Sequence, residues 1–399
     1  MASILVLNSG SSSIKFASYV VHEVGHEAKP RLELMLSGHV AQHADGVELL
    51  VRSRSQGVLA QLVEPAMSPV FECEHALERL IAWLEAHETE CGGAVLAVGH
   101  RVVHGGQRFN APVCVSDAVL AELAKLNSLA PLHQPRNLKA IEILRAHRPA
   151  LIQVACFDTA FHSSQPELAR AMALPRDLSD QGVRRYGFHG LSYEYIAGQL
   201  RQLLGERAGG RVIVAHLGSG ASMCAMLDGR SVASTMGFSA LDGLVMGSRC
   251  GNLDPGVLLY LLQERGMSGQ QLSDLLYSRC GLLGVSGLSA DMQVLLESSD
   301  TRAAQAVELF VYRAVTAIGS LAAALGGLDA LVFTAGIGEH AAPVRAAIAR
   351  GCAWLGAELD EAANQVHAQR ISTAASRVRL LVLPTDEELV IAGHTLELL

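Results

Sequence analysis

Excess positive charge is absent from this 399-residue sequence: 31 Lys and Arg stand against 39 Asp and Glu, a formal net charge of −8. Nucleic acids and anionic membranes select basic surfaces, so neither is expected as a partner. Paired cysteines are absent as well. The eight cysteines are scattered, with no C-x-x-C and no zinc-type spacing, which predicts reduced, mostly buried thiols and a cytoplasmic protein. The first residues carry no basic segment leading into a long apolar stretch, so no signal peptide is expected. Long hydrophobic runs are missing too. Residues 303–325 come closest to a membrane span, but Glu308 and Arg313 interrupt them. Low-complexity tracts and long linkers are also lacking.

What remains is a globular composition, half apolar and 18% charged, on a chain long enough for two domains with cores of their own. Two stretches share one grammar. SILVLNSGSSSIKFASYVV reads as strand, Gly/Ser turn, strand; residues 211–235 read as strand, Gly/Ser turn, strand, Asp228-Gly229 hairpin turn, strand. A repeat of pattern at about half the chain's spacing suggests two similar α/β domains. Further strands are expected at 94–98, 151–156, 330–334 and 379–383. Leu77, Leu80, Ile81 and Leu84 mark a helix by the i, i+3, i+4, i+7 rule. Ser192 is expected to cap a helix running to about Leu204. A long helix should start near Asp300 and stop at Gly326-Gly327, and a closing one should span 387–398. Arg148-Pro149 ends a helix before a strand, which puts the domain boundary near residue 150: domains 1–150 and 151–384, with 385–399 closing the chain.

Three Gly/Ser turns sit at strand ends. The first holds Asn8, Ser11 and Ser13, with Lys15 just beyond; the second is His216-Leu217-Gly218-Ser219-Gly220; the third is Gly336-Ile337-Gly338-Glu339-His340. Backbone N–H groups in such turns converge on anions, hydroxyls add donors, and Lys15 supplies a point charge. A single turn of this kind is as readily a plain surface turn; three in one chain favour phosphate or nucleotide contact. No Walker loop is present. Arg101 in GHRVVHGG and Arg249 in VMGSRCGNLDP stand among glycines and apolar residues. Singly each reads as a structural ion-pair partner; together two guanidinium forks could clamp a small anion. Asp158 in FDTAFH, His189 in RYGFHG, His133 in APLHQP and Glu387 in PTDEEL complete the candidates. A carboxylate such as Glu387, at a strand end and helix start, suits either a metal or the helix dipole.

Taken in order, NSGSSSIKF, GHRVVHGG, APLHQPRN, FDTAFH, RYGFHGLSY, HLGSGAS, MGSRCGNLDP, TAGIGE and PTDEEL resemble the acetate kinases, within the acetate and sugar kinase, Hsp70 and actin superfamily, over essentially the whole chain. The resemblance implies two actin-like (ribonuclease H-like) α/β domains around an interdomain cleft, the C-terminal helix packing back on the first domain, and a homodimer. It implies reversible, magnesium-dependent in-line transfer from ATP to acetate, giving acetyl phosphate and ADP, with Mn²⁺ able to substitute. By motif, Asn8 and Glu387 would hold the metal; Lys15 and its serines would reach phosphate. Arg101 and Arg249 would grip the carboxylate and the moving phosphoryl group, and His189 and Arg249 would donate to its equatorial oxygens. The nucleotide would lie on residues 216–220, on Asp291, Met292 and Gln293, and on residues 336–340. His133 would support the site, and Val103, Leu132 and Phe188 would face the acyl chain. The resemblance implies a catalytic acid/base role for Asp158; acetate is already ionised at neutral pH, so Asp158 is expected to orient Arg249 or metal-bound water instead of removing a proton.

Departures from the family pattern are Asn252 for an acidic residue, Ser219 for an amide, Gln293 for an arginine, His340 for an asparagine and Ala240 for a proline. The first four bear on the nucleotide side; Ala240 could enlarge the acyl pocket and admit propionate. The alternatives are a propionate or broader short-chain carboxylate kinase, a sugar kinase, and an actin- or Hsp70-like ATP-binding switch, which needs no pair of arginines facing an acceptor.

Overall fold

The computed structural model describes residues 2–9, 13–22, 31–43, 46–64, 73–207 and 209–399. It forms two compact units, Met1–Ala160 with Asp386–Leu399, and Phe161–Thr385. The first unit is built on β1 (Ala2–Ser9), β2 (Ser13–His22), β3 (Arg31–His43), β4 (Gly46–Ser53), β5 (Gly57–Glu64), β6 (Ala94–Val102), β7 (Val113–Cys114) and β8 (Ile152–Phe157), in the order β5-β4-β3-β2-β1-β6-β8-β7. β6 runs parallel to both β1 and β8. Ile4, Leu5, Val6 and Leu7 are all buried, as an unbroken apolar run must be when both faces of its strand are covered. Leu5 and Leu7 pack with Leu77, Leu80 and Leu84 of helix Cys73–Ala86 and with Ile143 and Leu144 of helix Gln134–His147. Gly99 of β6 meets Ile391 and Thr395 of the closing helix Glu387–Glu397.

The expected boundary at residue 150 falls ten residues early. Ile152–Phe157 pairs in register with β6, so the backbone ladder keeps it in the first sheet, and the break follows Ala160. Strands β3, β4 and β5 extend the sheet where no strand was expected.

The second unit holds β9 (Arg211–Leu217), β10 (Ala221–Leu227), β11 (Arg230–Ser234), β12 (Ala330–Thr334) and β13 (Arg379–Val382), in the order β11-β10-β9-β12-β13. The sheets share one pattern: three successive antiparallel strands joined to two parallel ones, β3-β2-β1-β6-β8 in one and β11-β10-β9-β12-β13 in the other. Asp228 and Gly229 both take positive φ, 51° and 77°, as a two-residue hairpin turn requires. Tyr193, Ile196, Ala197 and Leu200 of helix Gly190–Leu204 pack on Val212, Val214, Ala330 and Val332.

Helix Thr301–Leu325 is long and apolar enough, by length and composition, to cross a membrane, which the sequence reading had excluded. Its buried residues Ala303, Ala306, Phe310, Ala314, Ile318 and Leu321 recur at helical spacing, and it packs on β10 and the helix Ala342–Gly351, so it serves as a core helix.

Candidate active site

In the first unit the C-terminal ends of the parallel strands carry the polar residues, where α/β sheets commonly hold ligands. Asn8 ends β1 and lies opposite Lys15 of β2; directly opposed residues share a face. β6 runs beside β1 with His100 opposite Leu7, which brings Arg101 to Asn8, and Arg101 Nη1 donates to Asn8 Oδ1 at 3.2 Å. Asp158 follows β8. Its buried carboxylate accepts from Arg101 Nε at 3.0 and 3.1 Å and from Nη2 at 2.6 Å. The partner of Asp158 in this unit is therefore Arg101.

The closing helix adds Glu387, whose Oε2 lies 3.7 Å from Arg101 Nε, and Glu388, whose Oε1 accepts from Asn8 Nδ2 at 3.4 Å. Asp386 caps that helix, its Oδ1 accepting from Leu389 N at 2.9 Å. Burial, with the Asp158 and Glu388 charges adding to it, outweighs the pull of Arg101 and raises the Glu387 carboxyl to about 7. Burial works against the Arg101 charge, but Asp158 and Glu387 outweigh it and hold the guanidinium above its ordinary value.

Two residues that the sequence reading did not single out fix this end of the sheet. Gln134 Oε1 accepts from His104 N and its Nε2 donates to His104 O, both at 3.0 Å. Asn137 Oδ1 accepts from Val103 N at 3.1 Å, and its Nδ2 donates to Ser9 O at 2.7 Å. They follow His133, which is half-buried at the start of their helix. Val103 is buried, Leu132 is 41% exposed, Ser13 is half-buried at the start of β2, and Ser11 lies outside the described residues.

In the second unit the helix Gly190–Leu204 begins at His189, in a left-handed conformation (φ 58°). Ser192 is therefore inside the helix and is not its cap; buried, its Oγ hydrogen-bonds His216 Nδ1 at 2.9 Å. The His189 and His216 rings stack, centroids 4.2 Å apart and 16° from parallel. His189 Nδ1 lies 2.8 Å from Ser222 Oγ. Phe188 is buried, and its carbonyl hydrogen-bonds His162 Nε2 at 2.9 Å.

His216 and Leu217 end β9, and Gly218 N donates to Gly220 O at 3.1 Å across the turn that follows. Gly220 is flanked by two of the candidates of this unit: a Cβ there would stand 2.7 Å from Arg249 Nη2 and 3.4 Å from His189 Nε2. Arg249 Nη1 donates to Ala240 O at 2.7 Å. Thr334 of β12 pairs with His216, so the third turn lies beside the second.

Helix was expected only near Pro343. The chain instead turns at Ala335 (φ 64°) straight into a short helix, Ala335–His340, that contains Gly336, Ile337 and Gly338; Pro343 opens the next one, Ala342–Gly351. Glu339 Oε1 accepts from Ala335 N at 2.9 Å. His340 lies edge-on to His367, 6.2 Å between centroids. Asp291 caps the helix Met292–Glu297, where Met292 is buried and Gln293 donates to Glu297 Oε1 at 2.9 Å. Asn252, the departure from an acidic residue, is engaged with backbone: its Oδ1 accepts from Gly243 N at 2.8 Å. Ser222, Tyr193 and His162 were missed by motif reading. Ser222 stands within HLGSGAS, but its place opposite His216 comes from the β9–β10 register, which the string itself does not show.

Both units thus present anion-binding groups at strand ends, a set suited to phosphate and carboxylate. The sequence matches the Acetokinase family over residues 3–393. An acetate kinase of Rhodopseudomonas palustris (strain TIE-1) is 54% identical over 397 residues, covering 98% of this chain and 97% of its own. Among solved structures, a propionate kinase from Francisella tularensis subsp. tularensis SCHU S4 superposes with a TM-score of 0.88 at 35% identity, covering 100% of both chains. The acetate kinase of Porphyromonas gingivalis gives 0.85 at 34%, covering 100% of this chain and 99% of that one.

Proposed function

The chain belongs to the acetokinase family, and from that membership we propose that it is an ATP:acetate phosphotransferase, moving the γ-phosphoryl group of ATP to acetate and, in reverse, from acetyl phosphate to ADP. The observation that carries the reading is the pairing of Arg249 Nη2 with His189 Nε2 around Gly220. A transferring phosphoryl group spreads charge over three oxygens, and a fixed guanidinium beside an imidazole N–H meets that charge without reorganising. Arg101, aligned by Asp158 through three hydrogen bonds, presents the planar donor set that a carboxylate or phosphate accepts. Acetate needs no base, so Asp158 positions Arg101. Lys15, with Ser11 and Ser13, serves phosphate; the turns at 216–220 and 336–340, with Asp291, Met292 and Gln293, serve the nucleotide.

Magnesium, or manganese in its place, fits Asn8 and Glu387. A carboxyl that burial lifts to about 7 is one whose anion a cation would relieve. Among the described residues no three His, Cys, Asp or Glu groups converge into a cage, and magnesium in kinases takes only one or two protein oxygens beside the phosphates. When bound, the ion neutralises phosphate charge.

A second copy of the chain is the partner we assign to the helix Pro255–Gln263. It buries none of its residues, and Val257, Leu259, Tyr260 and Leu262 are exposed along it; such a contiguous apolar patch marks an interface. Sedimentation as a monomer at micromolar concentration would refute that assignment. Cys91, Cys156, Cys224 and Cys352 are buried, and thiols held out of disulfides suit the cytoplasm.

The reaction is tested by trapping acyl phosphate as hydroxamate, with ATP and GTP and with acetate, propionate and butyrate. Acetate should lead in kcat/KM. Propionate should follow within the range of about 10- to 200-fold that one methylene commands. The similarity to a propionate kinase and Ala240 in place of a proline ring favour propionate as the second reading. Butyrate ahead of both, or no hydroxamate from any acid, overturns the proposal.

A further inference from the structure

We propose that Ser222 and Tyr193 are positioning residues that hold His189 as the neutral imidazole with its hydrogen on Nε2, so that it acts on the phosphoryl oxygens as a fixed hydrogen-bond donor and not as an acid. Tyr193 is 0% exposed, and among the described residues its hydroxyl has one hydrogen-bond partner, Ser222 Oγ. A buried phenol O–H must donate somewhere, so it donates to that oxygen. Ser222, also 0% exposed, then has one hydrogen to place and one partner left for it, His189 Nδ1 at 2.8 Å. Nδ1 is therefore an acceptor and carries no hydrogen. The ring's hydrogen sits on Nε2, the nitrogen beside Gly220 and Arg249.

The surroundings agree with that direction. An imidazolium would put a second positive charge next to Arg249 and against the stacked His216 ring. Its Nδ1–H would also turn Ser222 round to donate into Tyr193, leaving the phenol hydrogen with no acceptor. Tyr193 and Cys224, the titratable groups behind Ser222, both resist ionisation because they are buried. His189 is also held rigidly: its left-handed backbone starts the helix that carries Tyr193, one turn further on. One helix and one strand thus set both the position of the ring and its tautomer.

The proposal rests on the kinase reading for the role of Nε2, but the tautomer can be read without turnover. In chain labelled with ¹⁵N-histidine, long-range ¹H–¹⁵N spectra at pH 7.5, with His189 assigned through His189→Gln, should show a hydrogen on Nε2 and a bare Nδ1. A hydrogen on Nδ1, in either the neutral or the doubly protonated ring, overturns the assignment. Ser222→Ala should lower kcat by about 10- to 100-fold with the KM values for ATP and acetate nearly unchanged, because the ring loses its fixed tautomer and not its place. Ser222→Thr, which restores a hydroxyl, should recover most of that loss. Wild-type kcat in Ser222→Ala, or a loss confined to KM, counts against the proposal. Should Ser222→Ala fail to fold, Tyr193→Phe removes the hydrogen that sets the direction, and the His189 spectrum should become a tautomer mixture; an unchanged spectrum overturns the relay. If the wild type makes no acyl phosphate while Nε2 carries the hydrogen, the kinase reading fails and the tautomer stands.

Discussion

Gly220 gives the clearest case at the scale of one residue. The space that its missing side chain leaves is bounded by Arg249 Nη2 and His189 Nε2. Gly220→Ala puts a methyl group 2.7 Å from the guanidinium, inside van der Waals contact, and displaces the nearer group. The expected outcome is a fall in kcat of about 100-fold, the size seen when one transition-state donor is lost, with the thermal midpoint almost unmoved. Steady-state kinetics beside a melting curve check it, and unimpaired turnover in a folded variant would show that the Arg249–His189 pair does not meet the reacting group. Arg101, Asp158, His189 and Arg249 were legible as residues because each sits in a string of small or apolar neighbours. Their partners were not. That Asp158 grips Arg101, or that Ser222 serves His189, depends on strand register, which leaves no local mark in a sequence.

Among the elements, the closing helix contributes most for its length. It lies against β1, β6 and β8 and supplies Glu387 and Glu388 from its first turn. Its approach depends on Gly99. A Cβ there would stand 2.3 Å from Thr395 Oγ1 and 2.5 Å from Ile391 Cγ2. Gly99→Ala should cost about 1–3 kcal/mol in urea unfolding, the usual range for overpacking, and should lower kcat as Glu387 moves with its helix. A stable variant of full activity would separate the seating of the helix from the site. The parallel strands were readable as short, continuous apolar runs bounded by turns. β3 to β5 were not, because Ser37, Gly38 and His39 break the alternation in β3 and Glu48 and Arg52 stand among the apolar residues of β4. The cap of the helix Gly190–Leu204 was misread for a similar reason: Ser192 is the residue type that caps, but the left-handed turn at His189 starts the helix earlier.

For the whole molecule, buried histidines govern the response to acid. Burial lowers His100, His104 and His162 to about 4, against 6.5 in an unfolded chain. Above pH 6.5 these rings are neutral in both states and contribute no pH dependence. Between pH 6.5 and 4 the unfolded chain binds protons that the folded one refuses, so stability falls, by up to about 3 kcal/mol per ring, and levels off below 4. Glu387 acts in the opposite sense. Raised from 4.5 to about 7, it binds its proton first in the folded state and offsets about one ring. The net expectation is a urea midpoint clearly lower at pH 4.5 than at pH 7.5, with His162→Gln flattening the difference. An equal midpoint at the two values would mean that these rings are open to water.

The return of residues 386–399 to the first unit has a consequence for how the molecule is made. The 161–385 stretch is continuous in sequence, so every residue of its unit is present once position 385 has been translated. The sheet of the first unit, although translated before that stretch, waits for residues 386–399 before it gains its closing helix and its Glu387. A polypeptide ended by a stop codon just before residue 386 would therefore keep the turns at 216–220 and 336–340 and lack Glu387, the carboxylate we propose for the metal.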